Sequence, residues 1–398
     1  MPEPSSPGYR LAGVEPIQRR AIRNGVVAAV LTAAVLFAFQ AAEGGGERRA
    51  APSPTPSPSP SPACTGSWEF LPSPDPDPEG NQLLGVEAVS QRNVWAVGAF
   101  GPPDAPTSTL VERWDGRRWT IVPTPNEGTE NALNAVAAIG PVNAWAVGWT
   151  SSGAEQQPLI EHWDGTAWSL VPPPSVTGGA VLNAVAMVGP AVWAVGASGS
   201  ADLGTQQALA LRWDGTAWAT QPLPPLPGQT VLRSIAVLGP HDLLVVGSAG
   251  TRPLTLRFTG GQWFRVPTGG QGAMVDVAPG ETGTAWAAGS SILRWTGSGW
   301  TAAGAVRRAG TLAAIAPESQ TDVWAVGSSP AGISGATRAL LQHLDGKAWV
   351  VVKGQAAPGS ETLTAASASP DGTVWAVGYR DTVLGRATLV VRGSVSCA

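Results

Sequence analysis

Side chains with versatile chemistry are scarce in this 398-residue chain, which has three histidines, two cysteines and two tyrosines. With the histidines scattered at 162, 241 and 343 and the tyrosines at 9 and 379, no metal cluster, copper-radical site or Ser-His-Asp set can be assembled, and no cofactor is implied. Charge is short as well: 13% of residues are Asp, Glu, Lys or Arg, a share that suits amphipathic helices poorly. The formal net charge of -4, with no Lys/Arg cluster beyond the N-terminal segment, lacks a nucleic-acid footprint, and that partner class is excluded.

What is abundant is glycine (50), proline (37) and tryptophan (18), the composition of a chain of many short strands and turns. The first sixty residues stand apart from it. An uncharged apolar run, "GVVAAVLTAAVLFAFQAA" at 25–42, reaches the lower end of membrane-spanning length and follows Arg10, Arg19, Arg20 and Arg23. The positive flank places the N-terminus in the cytoplasm. The predicted organisation is a basic cytoplasmic segment (1–23), a transmembrane anchor or signal (24–42), a Pro/Ser-rich spacer (43–63) and a folded domain (64–398). No clean small-x-small site follows the apolar run, which favours an uncleaved single-pass anchor with the domain outside; cleavage would make the domain secreted.

The folded part repeats. "WAVG" occurs at 95–98, 145–148, 193–196, 324–327 and 375–378, with "WAAG" at 286–289 and "LVVG" at 244–247 filling the gaps. Six of the seven units carry a second element, as in "RWDGRRW" at 113–119 and "HWDGTAW" at 162–168. One unit reads as four antiparallel strands: an alternating stretch through Leu133, Ala135 and Ala137, then "AWAVG", "PLIEHW" and "WSLVP", the last two joined across an Asp-Gly turn. Seven such units predict an all-β, seven-bladed β-propeller. Period-two alternation sends Trp95 and Val97 to one sheet face and Ala96 and Gly98 to the other, so the large face of one blade can meet the small face of its neighbour. Seventeen of the 18 tryptophans fall at repeat positions, and Trp149 is the exception.

The seventh unit lacks a fourth strand, while "TGSWEFLPSP" at 65–74 looks like an unattached one, Trp68 aligning with Trp168. The N-terminal strand is therefore expected to complete the last blade. Cys64 and Cys397 then fall where every other blade has a covalent hairpin, and a disulfide between them is expected in an outward-facing compartment. Two free thiols or an intermolecular bridge are the alternatives.

The repeat resembles kelch-type and WD-type propellers across residues 64–398, and is most similar to the "VWAVG...RWDG..W" repeats of bacterial exported propellers. It has one glycine where kelch strands carry a doublet, and no Gly-His dipeptide precedes its Trp-Asp pairs. The resemblance implies the fold and no particular activity.

Connections between second and third strands, and from blade to blade, vary in length and emerge on one face, the candidate binding surface. There Phe100, Trp149 and Tyr379 follow the first, second and seventh WAVG motifs, where other units place Ser or Ala. The connection "PSPDPDPEGN" adds Asp75, Asp77 and Glu79, with Glu127, Glu130, Arg380 and Asp381 close by. Exposed aromatics beside carboxylates suit sugar stacking or a protein hot spot, with ordinary loop packing as the bland alternative. "DPDPEG" also resembles the opening of a calcium loop, but Val86 stands where the closing Glu belongs, and a solvated acidic loop with no metal is the better reading. The expected role is non-catalytic binding or scaffolding by a monomer that recognises a cell-envelope glycan or a surface protein. The rival classes are a purely structural surface module and a carbohydrate-active enzyme, glycosidase or lyase, with Asp75, Asp77 or Glu127 as its carboxylates.

Overall fold

The structure, a computed structural model, describes residues 64–397 except 103–104, 154, 333–334 and 353–358, and for 64–66 and 394–397 it describes the backbone only. The predicted cytoplasmic segment, membrane span and spacer lie outside the described residues. Among the described residues no helix is long and apolar enough to cross a membrane.

Seven four-stranded antiparallel sheets form the blades of a propeller. Blade one runs outward from the axis through Asn81–Ser90, Asn93–Phe100, Ser108–Trp114 and Trp119–Ile121, and blades two to six repeat this order. Blade seven is built from both ends of the domain. Its inner strands are Ser360–Ala368, Val374–Thr382 and Gly385–Cys397, and its outermost strand is Cys64–Leu71. The register of that last pair sets Trp68 opposite Gly393 and Cys64 opposite Cys397. Directly opposed antiparallel residues have Cα atoms about 4.5 to 5.5 Å apart, within the span that a disulfide requires.

Tryptophan joins each blade to the next. Trp95 of blade one meets Trp163 and Trp168 of blade two at 5.3 and 5.4 Å between ring centroids. Trp145 meets Trp213 and Trp218 of blade three at 5.3 and 5.5 Å, and Trp375 meets Trp114 and Trp119 of blade one at 5.2 and 5.5 Å. At the closure Trp68 stands edge-on to Trp324 at 4.8 Å. These rings cluster with the neighbour's small residues, as Trp95 and Val97 do with Ala144 and Ala146. The large-face-to-small-face packing expected from WAVG is what the blades use.

The glycine of WAVG has its own cause. Every innermost strand carries a β-bulge, at Leu83/Gly85 in blade one and Leu133/Ala135 in blade two, for example, and it lies against the motif glycine of the second strand. A Cβ on Gly98 would come within 1.9 Å of the Gln82 carbonyl oxygen, and one on Gly148 within 1.9 Å of that of Ala132. The bulge brings backbone so close that no side chain fits.

The bulges also close the axis. The innermost strands surround a channel of about 360 Å³. Asn134, unpaired at the bulge of blade two, donates through Nδ2 to the Leu182 carbonyl of blade three at 2.9 Å; Asn183 does the same to Leu232 of blade four at 2.8 Å. Thr364 Oγ1 of blade seven donates to the Leu83 carbonyl of blade one at 2.8 Å. Asp276 accepts from Ser234 Oγ at 2.6 Å and from the Ile315 amide at 2.8 Å, so one carboxyl spans three blades, and burial raises its pKa. Buried polar groups are thus satisfied across blade boundaries.

Candidate functional site

The residue opposite the WAVG tryptophan on each third strand is Arg or His, and it lies over the indole. Arg113 sits 4.8 Å from the Trp95 ring centre, Arg212 5.5 Å from Trp193 and Arg392 5.8 Å from Trp375. His162 stacks on Trp145 at 4.4 Å and His343 on Trp324 at 4.2 Å, with Nε2 of His343 2.8 Å from Asp322 Oδ1. Two of the three histidines are therefore repeat variants of a cation–π position. His241 is exposed in a short turn of the opposite face. Among the described residues no group of three or more His, Cys, Asp or Glu side chains is placed to hold a metal ion.

The variable connections make the other face. Two cavities lie there, on either side of the blade-seven hairpin that joins Val374–Thr382 to Gly385–Cys397. The first, about 960 Å³, lies where blades seven, one and two meet, and Glu79, Gln82, Glu130, Trp149, Asp381 and Arg386 line it. The second, about 840 Å³, lies on the blade-six side and is lined by Asp75, Asp77, Arg338, Arg380, Asp381 and Arg386. Val383 and Leu384 at the hairpin tip stand between them, 102% and 81% exposed.

Arg386 ties the two cavities together. Its Nε pairs with Asp381 Oδ1 at 2.8 Å, its Nη1 donates to Gln82 Oε1 at 3.2 Å, and its guanidinium covers Tyr379 at 3.9 Å from the ring centre. Its amide donates to the Glu79 carbonyl at 2.8 Å, fastening the blade-seven hairpin to the connection that enters blade one. Residue-type reasoning passed over Arg386; the hairpin register, which sets Asp381 opposite Arg386, is the signal that finds it.

The remaining candidates separate by what holds them. Asp75 Oδ1 accepts from the Thr388 amide at 2.7 Å and its hydroxyl at 3.0 Å, and Asp77 Oδ1 accepts from the amides of Glu79 and Gly80 at 2.8 and 3.0 Å. Both carboxylates brace the acidic connection. Phe100 is half-buried and packs against the core between blades seven and one. Glu127 is exposed and lines neither cavity, its amide donating to Asn131 Oδ1 at 3.2 Å. Trp149 and Glu79 line the first cavity and Arg380 the second, while Asp381 belongs to both.

Beneath the connections lie two buried carboxyls. Glu112, on the third strand of blade one, accepts from Ser73 Oγ, and burial together with nearby Asp75 pushes its pKa up to about 8 against that hydrogen bond. Glu161 in blade two accepts from Thr124 Oγ1 at 2.7 and 2.9 Å and is likewise pushed to about 8 by burial. In blade six Gln342 occupies the matching place, accepting from the Arg307 amide at 2.9 Å and donating to the Ala305 carbonyl at 3.1 Å. In each case the group latches the connection arriving from the preceding blade.

No protein-family model and no curated protein matches the chain. Solved propeller structures do. A structure described as YCF48 bound to D1 peptide aligns with 82% of this chain and 96% of its own at 17% identity and a TM-score of 0.53. YCF48 from Cyanidioschyzon merolae aligns over 82% and 98% at 14% identity and 0.51, and U3-55K over 82% and 98% at 10% identity and 0.55. At these identities the likeness is one of fold, and it bears out the seven-bladed propeller.

Proposed function

We propose that this protein acts by binding, as a propeller that recognises a polypeptide partner across the sector of blades seven, one and two. The observation that carries the reading is the pair of cavities of about 960 and 840 Å³ flanking a hairpin whose Val383 and Leu384 stand exposed. An extended segment laid over that hairpin would cover two apolar side chains and reach a pocket on each side, the arrangement of an anchor with polar surroundings. A structure of similar fold, YCF48, is described as bound to a peptide, which supports a binding role for this scaffold.

The setting is part of the proposal. The domain is read as a surface propeller of the WAVG/RWDG exported type, held to the membrane by the apolar run at 25–42, spaced from it by the Pro/Ser tract and closed by a Cys64–Cys397 disulfide. An envelope glycan is the second reading, favoured by half-exposed Trp149 beside Glu79 and Glu130 in one cavity. Pull-down from envelope extracts with the full-length protein, its Val383→Ser/Leu384→Ser variant and its Trp149→Ala variant tests both. Capture of a protein lost in the hairpin variant supports the first reading. Retention on a glycan array lost only in Trp149→Ala supports the second, and capture unchanged in both variants removes the sector.

A further inference from the structure

We infer that the cavity between blades seven, one and two takes a cationic side chain, so that the partner segment presents a lysine or arginine there; this rests on the polypeptide reading above. The cavity is acidic in a particular way. Glu79, Glu130 and Asp381 line it, and Arg386, the one cation in its lining among the described residues, is already engaged by Asp381 and Gln82. Among the described residues no cation pairs with Glu79 or Glu130, and both are exposed. Trp149 lies in the same lining and is half-buried.

Trp149 departs from the repeat. It is the tryptophan that falls outside the WAVG and RWDG positions, and five of the other six units have Ser or Ala in its place. Each of the other indoles has a ring contact or a stacked cation, whereas Trp149 has neither among the described residues. An indole that lines the same cavity as two carboxylates paired with no cation attracts a cation through ring quadrupole and charge together. A neutral sugar would use the ring and leave the paired negative field unanswered, and an anionic ligand would be repelled by it. The chemistry selected is an ammonium or guanidinium on a flexible stem.

The test uses the full-length protein on a microarray of random-sequence dodecapeptides, followed by titration of the best binders. Binders are expected to be enriched in Lys or Arg, to weaken about tenfold when that residue becomes norleucine, and to weaken similarly in Trp149→Leu and in Glu79→Gln/Glu130→Gln. Affinity should also fall as salt rises from about 0.05 to 0.3 M. Binders that are uncharged or acidic and unaffected by the carboxamide variant would overturn the cation assignment while leaving polypeptide binding intact. An array without binders, set beside a glycan hit lost in Trp149→Leu, would overturn both.

Discussion

Trp68 lies flat against Gly393 where the two ends of the propeller meet: a carbon added to Gly393 would reach the indole at 3.1 Å. In the other blades the partner of the fourth-strand tryptophan is Trp, Phe or Leu; here it is glycine, and Trp68 fills the space and reaches Trp324 of blade six.

Replacing Trp68 by alanine should therefore weaken the ring where the pairing of Cys64–Leu71 with Gly385–Cys397, which no hairpin joins, closes blade seven. The expected cost is about 3 to 5 kcal/mol, the range for removing a buried tryptophan. Chemical denaturation followed by far-UV circular dichroism measures it, and Gly393→Val should be damaging for the reciprocal reason.

The opposed positions of Cys64 and Cys397 predict one intramolecular disulfide. Mass spectrometry of the non-reduced protein should find the two cysteine peptides linked. Cys64→Ser should lower the denaturation midpoint to that of the reduced wild type, a loss of up to about 5 kcal/mol in the chain-entropy account.

Gly148→Ala tests the bulge. Its methyl would meet the Ala132 carbonyl oxygen at 1.9 Å, against backbone on a strand that cannot retreat from the channel wall. A loss of more than about 4 kcal/mol or failure to fold is expected, whereas alanine at Gly140, with open space around it and an exposed turn, should cost about 1 kcal/mol or less through its positive φ of 71°.

Stability should fall with rising pH. Glu112 and Glu161 are raised to about 8, and Glu87 and Glu318 to about 7, in each case mainly by burial. The folded state thus holds protons that the unfolded chain, with ordinary carboxyls, has released. Their contribution is fully present below about pH 4.5 and declines as pH rises toward 8. The double variant Glu112→Gln/Glu161→Gln should flatten this slope and raise the melting temperature at pH 8, because Gln342 shows that an amide latches a connection without ionising.

Much of the fold could be read from the sequence because the repeat is written in tryptophan and glycine, whose positions packing dictates. The swap that closes blade seven was visible in the surplus "TGSWEF" and the missing fourth strand. The reason for the WAVG glycine was not, since a bulge leaves no residue-type signature of its own. The channel ring of Asn134, Asn183 and Thr364 was hidden for a similar cause: these residues look like ordinary strand polars until the bulge turns them toward the next blade. At the candidate site, counting along the repeat located Trp149, Asp381 and Glu79 in one sector. Whether an aromatic packs inward or lines a cavity depends on the loops above it. Hence Phe100 lies against the core and Tyr379 under Arg386, although all three aromatics occupy similar places in the repeat.

Hydrogen–deuterium exchange of the full-length protein with and without its captured partner tests the binding account most directly. Protection is expected in the segments around 79–82, 129–132 and 380–387, which line the two cavities. Protection confined to the Asp-Gly hairpins of the opposite face, such as 115–118 and 164–167, would contradict it.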